Sequence, residues 1–271
     1  MNLLKFDARH VQSRASNLEN HCSAQADPHR GSTSPSLPTV GFRKWRGLSA
    51  TMRSTTCLIF AAGVWCNMER IRPYLDQDAM ILACDGALRD CLENNIVPDA
   101  VIGDMDSTSE EVLQRFLALG GEVHRREEQN SHDLNKALTM AEGWACEACV
   151  VVGATGGDRQ HEWANLLTCA AASMNIECLG EDHVYAFLLP KEMHSIEMVP
   201  GQLFSLFALP VAHEVTLEGA RYPLLGETLH MGSRGLHNVA TGPTLGLNYS
   251  EGRIMLLKIH PSAKAEGTPE A

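Results

Sequence analysis

Two carboxylates spaced two residues apart, Asp104 and Asp106, close the stretch Val101-Ile102-Gly103-Asp104-Met105-Asp106-Ser107. Val101 and Ile102 have the character of a buried strand end, and Gly103 lets the backbone turn or another group come close. If the strand continues through the pair, both carboxylates point to one side, roughly 6–7 Å apart, near enough to share one or two hard cations. Mg²⁺ favours carboxylate oxygens together with substrate phosphates, so the chemistry this pair suits is phosphoryl or pyrophosphoryl transfer. An acidic turn capping a helix that starts near Ser107 fits the same seven residues equally well.

The elements around this stretch alternate. Cys57 to Gly63 reads as a buried strand running into a turn of small residues. Ala79 to Cys84 is a second strand, ending at Asp85-Gly86, and Leu88 to Asn94 is helical. Pro98-Asp99 turns the chain into a third strand over Ala100 to Gly103. Ser109 to Leu119 is a helix with Val112, Leu113, Phe116 and Leu117 at helical spacing, stopped by Gly120-Gly121, and Val123 opens a short strand. Asp133 to Trp144 is helical, Cys149 to Val152 is a strand ending at Gly153, and Glu162 to Met174 is a helix. In that last helix Trp163, Leu166, Leu167 and Ala170 are expected to pack against the core. Strands and helices alternating at this spacing predict an α/β fold, a mainly parallel sheet with flanking helices and ligands at the carboxyl ends of the strands. Asp85-Gly86, Gly103 to Asp106, and Gly153 to Gly157 all follow apolar strands, so the fold would gather them on one rim.

After Ile176 the pattern changes to short apolar runs divided by turns, which reads as a small all-β sandwich domain. The resulting division is a leader without regular pattern at 1–53, an α/β domain at 54–175, a β-sandwich at 176–260 and a polar tail at 261–271. The leader is basic, with seven Lys/Arg against three Asp/Glu in residues 1–51, and reads as disordered or as an over-extended start before Met52.

The net charge of −11 argues against nucleic acid as a partner, because binding to a phosphate backbone relies on clustered Lys and Arg. Apolar runs such as Cys57 to Cys66 are too short to cross a bilayer, so no membrane association is expected. The cysteine count, nine, is odd, and Cys57, Cys84, Cys169 and Cys178 sit inside apolar runs, which fits reduced thiols in the cytoplasm. Cys146-Glu147-Ala148-Cys149 has zinc or redox spacing but no second such pair, so it reads as packing.

The order of motifs resembles the thiamine pyrophosphokinase family over most of residues 56–260. The family has an Asp-Gly-Gly turn, Pro-Asp, Gly-Asp-Phe-Asp-Ser, Thr-Asp-x-x-Lys-Ala, Gly-Ala-Thr-Gly-Gly-Arg-x-Asp-His-x-x-x-Asn and a late Gly-Ile-Ser-Asn. This chain has Asp85-Gly86-Ala87, Pro98-Asp99, Gly103 to Ser107, His132-Asp133-Leu134-Asn135-Lys136-Ala137, Gly153 to Asn165, and Gly235-Leu236-His237-Asn238. The resemblance implies a homodimer with its site between subunits, and transfer of pyrophosphate from ATP to the hydroxyl of thiamine. Carried over position by position, it implies catalytic roles for Asp104, Asp106, Asp133 and Arg159, with Mg²⁺ held by the three aspartates. It also implies substrate contacts from Asp85, Gly86, Ser107, Lys136, Gly153, Thr155, Gly156, His161, Asn165, His237 and Asn238. The residue chemistry agrees: Lys136 lies one turn from Asp133 on the same helix face, and the Gly153 to Gly157 run would offer backbone N–H groups to an anion.

Four departures from the family pattern touch parts expected to contact ligands. Asp158 stands where the family has Arg, with Arg159 one position on; Gln160 replaces an Asp and cannot supply a carboxylate; His132 replaces Thr, and His237 replaces Ser. They leave room for a homologue that binds thiamine or a nucleotide without turnover. Asp104 to Thr108 also fits the Asp-x-Asp-x-Thr pattern of haloacid-dehalogenase-type phosphatases, in which the first Asp is the nucleophile, although no later Lys and acidic pair completes that site.

Overall fold

The strand β1 (Thr56–Phe60) lies at the centre of a parallel array, hydrogen-bonded to β2 (Met80–Cys84) on one side and β5 (Ala148–Val152) on the other. The computed structural model describes residues 56–75, 79–126 and 131–261. The expected leader, and the expected tail beyond Pro261, lie outside the described residues. Outward from β2 come β3 (Ala100–Gly103) and β4 (Glu122–Arg125), and outward from β5 comes β6 (Asn175–Leu179), all parallel. Each of these strands except β4 and β6 is bounded by apolar faces on both sides, as its near-continuous burial shows.

The helices cover both faces. On one, α4 (Asp133–Gly143) and α5 (Arg159–Ala171) bury Leu134, Ala137, Leu138, Leu166 and Cys169 against Ile59, Leu82 and Val151. On the other, α1 (Met68–Leu75), α2 (Leu88–Glu93) and α3 (Glu110–Ala118) bury Ile71, Leu88, Cys91, Leu113 and Phe116 against Leu58, Phe60 and Val101. α3 begins where Ser109 Oγ accepts the Val112 N–H and two glutamates complement the helix dipole. It ends at Gly121, where a Cβ would meet the Phe116 ring at 2.1 Å. No helix among the described residues is long and apolar enough to cross a membrane.

The expectation of a mainly parallel sheet needs correction. β7 (His183–Leu188) pairs antiparallel with β6 and passes the ladder on through β13 (Glu251–Ile259) to β9 (Leu203–Glu218), so the β-rich C-terminal region continues the same sheet. Antiparallel pairing governs everything beyond β6. The 16-residue β9 is the spine of that region. One of its edges takes β13 and then β12 (Thr244–Asn248); the other takes β11 (Gly235–Val239) and then β10 (Leu224–His230), while β8 (His194–Glu197) flanks β12. Its core contains Phe204, Leu206, Val215, Leu217, Leu245 and Ile254. Arg253 on β13 ties this region to the helical layer, donating from Nη2 to the carbonyls of Cys169 (3.2 Å) and Met174 (2.9 Å).

The strand order β4-β3-β2-β1-β5-β6 reverses direction between β1 and β5, the place where open α/β sheets form ligand crevices. Here the two strand ends stay together beyond the ladder: Ala61 N–H donates to Val152 O (2.8 Å), Gly63 to Gly153 O (2.9 Å) and Val64 to Thr155 O (2.9 Å). That approach requires Gly63, because a Cβ there would lie 2.4 Å from Gly153 O and 2.6 Å from Thr155 O. Gly63→Ala is expected to destabilise the fold by about 1–3 kcal/mol, a typical cost of overpacking, read as a shifted denaturation midpoint at unchanged m-value. An unchanged midpoint would mean that the two loops separate freely.

Candidate metal and polyphosphate cleft

Along the carboxyl edge of the parallel strands runs a cleft of about 570 Å³. β1 contributes Ala61, Ala62 and Gly63; β2 leads into Asp85 and Gly86; β3 into Asp104, Asp106 and Ser107. α4 contributes Asp133 and Lys136, and α5 contributes His161, Glu162 and Asn165. The strand ends supply the carboxylates and the helix starts supply the walls.

The chain buries Asp85 at 2% exposure and satisfies it with backbone donors: Gly86 N–H to Oδ1 at 2.6 Å and Met105 N–H to Oδ2 at 3.0 Å. Gly103 makes this possible, since a Cβ there would lie 2.7 Å from Asp85 Cγ. Burial, and then the neighbouring Asp133, push the Asp85 carboxyl up to about 6. Met105 takes φ +68°, unusual for a residue with a side chain, and its thioether enters the second core cluster while Asp104 and Asp106 line the cleft. Asp106 N–H donates to Asp104 Oδ1 at 3.2 Å and holds the Asp104 carboxyl below the usual range. Ser107 Oγ donates to Asp106 Oδ1, and Thr108 Oγ1 donates to Asp85 O.

Asp85, Asp104 and Asp106 each offer an oxygen, and these atoms all lie within 4.8 Å of one another. An all-carboxylate set suits a hard divalent cation. The sequence reading grouped Asp133 with Asp104 and Asp106; here Asp85 completes the close group, and Asp133 stands beside Asp85. Asp133 Oδ1 accepts from Lys136 Nζ at 3.0 Å, an ion pair in which the lysine side chain is 8% exposed. The spacing of Asp133 and Lys136 had brought that contact into view.

The other expected residues fall into two groups. Gly86, Ser107, His161 and Asn165 line the cleft, and Asn165 Nδ2 also ties α5 to Ala154 O at 2.8 Å. Gly153, Thr155 and Gly156 form the turn between β5 and α5, with Gly153 and Thr155 buried and Gly156 exposed beside Glu162, and Arg159 is exposed at the start of α5 away from the lining. Asn238 on β11 is committed to backbone: Oδ1 accepts from Tyr222 and Val239 N–H, and Nδ2 donates to Tyr222 O. His237 takes φ +56° and gives its N–H to Ser205 Oγ; neither it nor Asn238 reaches this cleft.

One donor of the loop expected to cradle an anion is engaged, and so are two at the start of α5. Gly156 N–H goes to Glu162 Oε2 (3.1 Å), and the N–H groups of Gln160 and His161 go to Asp158 Oδ1 (2.9 and 3.1 Å), so Asp158 acts as the N-cap of α5. Sequence reasoning passed over Ala61, Ala62 and Gly63, whose small side chains carry no chemistry, and Glu162, one of several acidic surface candidates on an amphipathic helix. Trp163 was expected to pack, yet it is 66% exposed and Leu167 60%, because α5 turns only Leu166 and Cys169 fully inward.

Comparison with known proteins agrees with this arrangement. The family described as thiamin pyrophosphokinase, catalytic domain, matches residues 71–179. The thiamine pyrophosphokinase of Bacillus subtilis (strain 168) is 25% identical over 217 residues, which is 75% of this chain and 98% of that protein. Its crystal structure superposes with a TM-score of 0.66 at 22% identity, covering 76% of this chain and 100% of that one. The crystal structure of thiamin pyrophosphokinase from Geobacillus thermodenitrificans gives 0.65 at 23% identity, covering 77% and 99%. The matched region runs from α1 to β6, across the carboxylate cleft and both of its helical walls, so the likeness to thiamine pyrophosphokinases covers the residues that carry the site's carboxylates.

Proposed function

We propose that the protein transfers pyrophosphate from ATP to the hydroxyl of thiamine, giving thiamine diphosphate and AMP. The observation that carries this reading is the group of Asp85, Asp104 and Asp106 oxygens within 4.8 Å, beside the Asp133–Lys136 pair in one cleft. Asp104 and Asp106, with Asp85 and Asp133 beside them, would hold Mg²⁺. Bound there, the ion would neutralise charge on the polyphosphate as the alcohol attacks the β-phosphorus. Lys136 would place an ammonium against a phosphate oxygen, and Ser107 would orient Asp106 by the bond it already makes. Residues 54–175 would then serve ATP and Mg²⁺, and 176–260 thiamine. Eight buried free cysteines among the described residues fit a reducing cytoplasm.

Two facts support a shared subunit arrangement. His237 and Asn238 lie away from the cleft, and Trp163 and Leu167 expose apolar surface on α5, the helix that forms the cleft wall. A homodimer would cover that surface and bring the β-rich region of a second copy to the cleft. A second reading, binding without turnover, is favoured by Gln160, which offers no carboxylate, and by a cleft lining that holds no arginine among the described residues.

Incubation with Mg²⁺, ATP and thiamine is expected to yield AMP and thiamine diphosphate in equal amounts, and EDTA to abolish both. Asp106→Asn should lower kcat by roughly 10²-fold or more, the usual scale for losing an electrostatic contact to the transferring group. Full activity in that variant would remove the metal assignment, and tight ATP binding with no AMP would select the non-catalytic reading. Light scattering on the intact chain is expected to give a dimer, and Leu167→Asp a monomer; a monomeric wild type would sink the shared site.

A further inference from the structure

Glu162 occupies a position at which the family motif specifies no residue type, in the first turn of α5 (Arg159–Ala171), and its side chain lines the cleft. Its Oε2 accepts the N–H of Gly156 at 3.1 Å. Gly156 holds φ +82°, and a Cβ there would lie 2.7 Å from Val64 Cβ, so the turn is fixed with that amide in place. Among the described residues Glu162 has no salt-bridge partner. Its charge is therefore met by one backbone dipole and by solvent, in a cleft where five further carboxylates face one ammonium.

We propose that Glu162 is a specificity-determining gate: its carboxylate is an internal anion on the Gly156 N–H, and a phosphoryl oxygen must displace it to use that donor. The proposal rests on the reading of the cleft as a Mg²⁺–polyphosphate site. Two charges of the same sign compete for one amide, and the resident one also repels the newcomer. A ligand that arrives with its phosphates neutralised by cations meets less of this repulsion than a bare polyphosphate does. Glu162 thereby selects for the cation-loaded form and weakens the uncomplexed one. The side chain has three rotatable bonds and an open side toward solvent, so it can leave the amide without moving α5.

Calorimetry on the full chain with inorganic tripolyphosphate, with and without Mg²⁺, and with Mg²⁺–ATP tests this. Glu162→Ala frees the amide and removes the charge, and is expected to tighten all three roughly five- to tenfold, most for tripolyphosphate alone. Glu162→Gln keeps an acceptor on Gly156 but removes the charge, and is expected to gain roughly two- to threefold. Unchanged or weaker binding in Glu162→Ala, with a melting temperature near wild type, overturns the gate. If Glu162→Ala unfolds, Glu162→Gln decides alone, and no gain there overturns it. AMP formation by the wild type without any gain in the variants leaves the pyrophosphokinase reading standing and removes the gate. Tightened binding with no AMP from the wild type does the reverse, and no heat from any of the three proteins removes both.

Discussion

Among the described residues six carboxylates, those of Asp85, Asp104, Asp106, Asp133, Asp158 and Glu162, face one cleft whose lining holds a single ammonium, and the chain must fold with that repulsion in place. It does so mainly with backbone. Asp85 takes the N–H groups of Gly86 and Met105, Asp104 that of Asp106, Asp158 those of Gln160 and His161, and Glu162 that of Gly156. Only Asp133 is met by a side-chain cation, Lys136. Backbone donors are fixed by the fold and need no counter-ion, so the carboxylates are held in place without a metal, and the negative potential they leave would draw a cation in.

That arrangement constrains the turns. Gly103 has no Cβ because Asp85 lies where one would be, and Gly63 has none because the Gly153 and Thr155 carbonyls do. Met105 accepts a left-handed φ so that the residues on either side can line the cleft while it fills the core. Strand ends that hold charges therefore cannot relax into ordinary loops, and the close pairing of β1 and β5 beyond their ladder follows from the same demand. The cleft sits at the reversal of strand order because only there do two neighbouring strand ends lead their chains away in opposite directions.

How much of this the sequence reveals depends on whether a feature is written in periodicity. β3 over Ala100–Gly103 and α4 from Asp133 were legible to within a residue, since apolar spacing and flanking turns mark them. α1 was not, because Pro73 lies within its eight residues and only Ile71 is fully buried. The 16-residue length of β9 was not legible either: the region reads as short apolar runs divided by turns, and this strand continues through Pro210. The sandwich reading also missed that β6 and β7 carry the parallel array on into the antiparallel region as one sheet, since strand partners leave no mark in the order of residues. At the site the aspartates were legible as chemistry, but which three meet was not: Asp85 joins Asp104 and Asp106 through the Met105 amide, a contact twenty residues long in sequence. The direction of the Gly156 amide was equally hidden, for a glycine's φ cannot be read from its neighbours.

The departures from the family pattern acquire a physical meaning in this light. Where the motif has an arginine, Asp158 caps α5 with two hydrogen bonds, so the residue is not idle; it stabilises the helix start that carries His161, Glu162 and Asn165. The exchange removes a cation from the wall and adds an anion, and Arg159, one position on, points into solvent and does not restore it. Under the proposed function, a polyphosphate entering this cleft would be neutralised by the cations it brings and by any held at Asp85, Asp104 and Asp106, with Lys136 as the chain's own contribution. The balance of charge would then rest on exchangeable cations in place of a fixed guanidinium, and occupancy of the carboxylate group would govern whether the cleft accepts a phosphate.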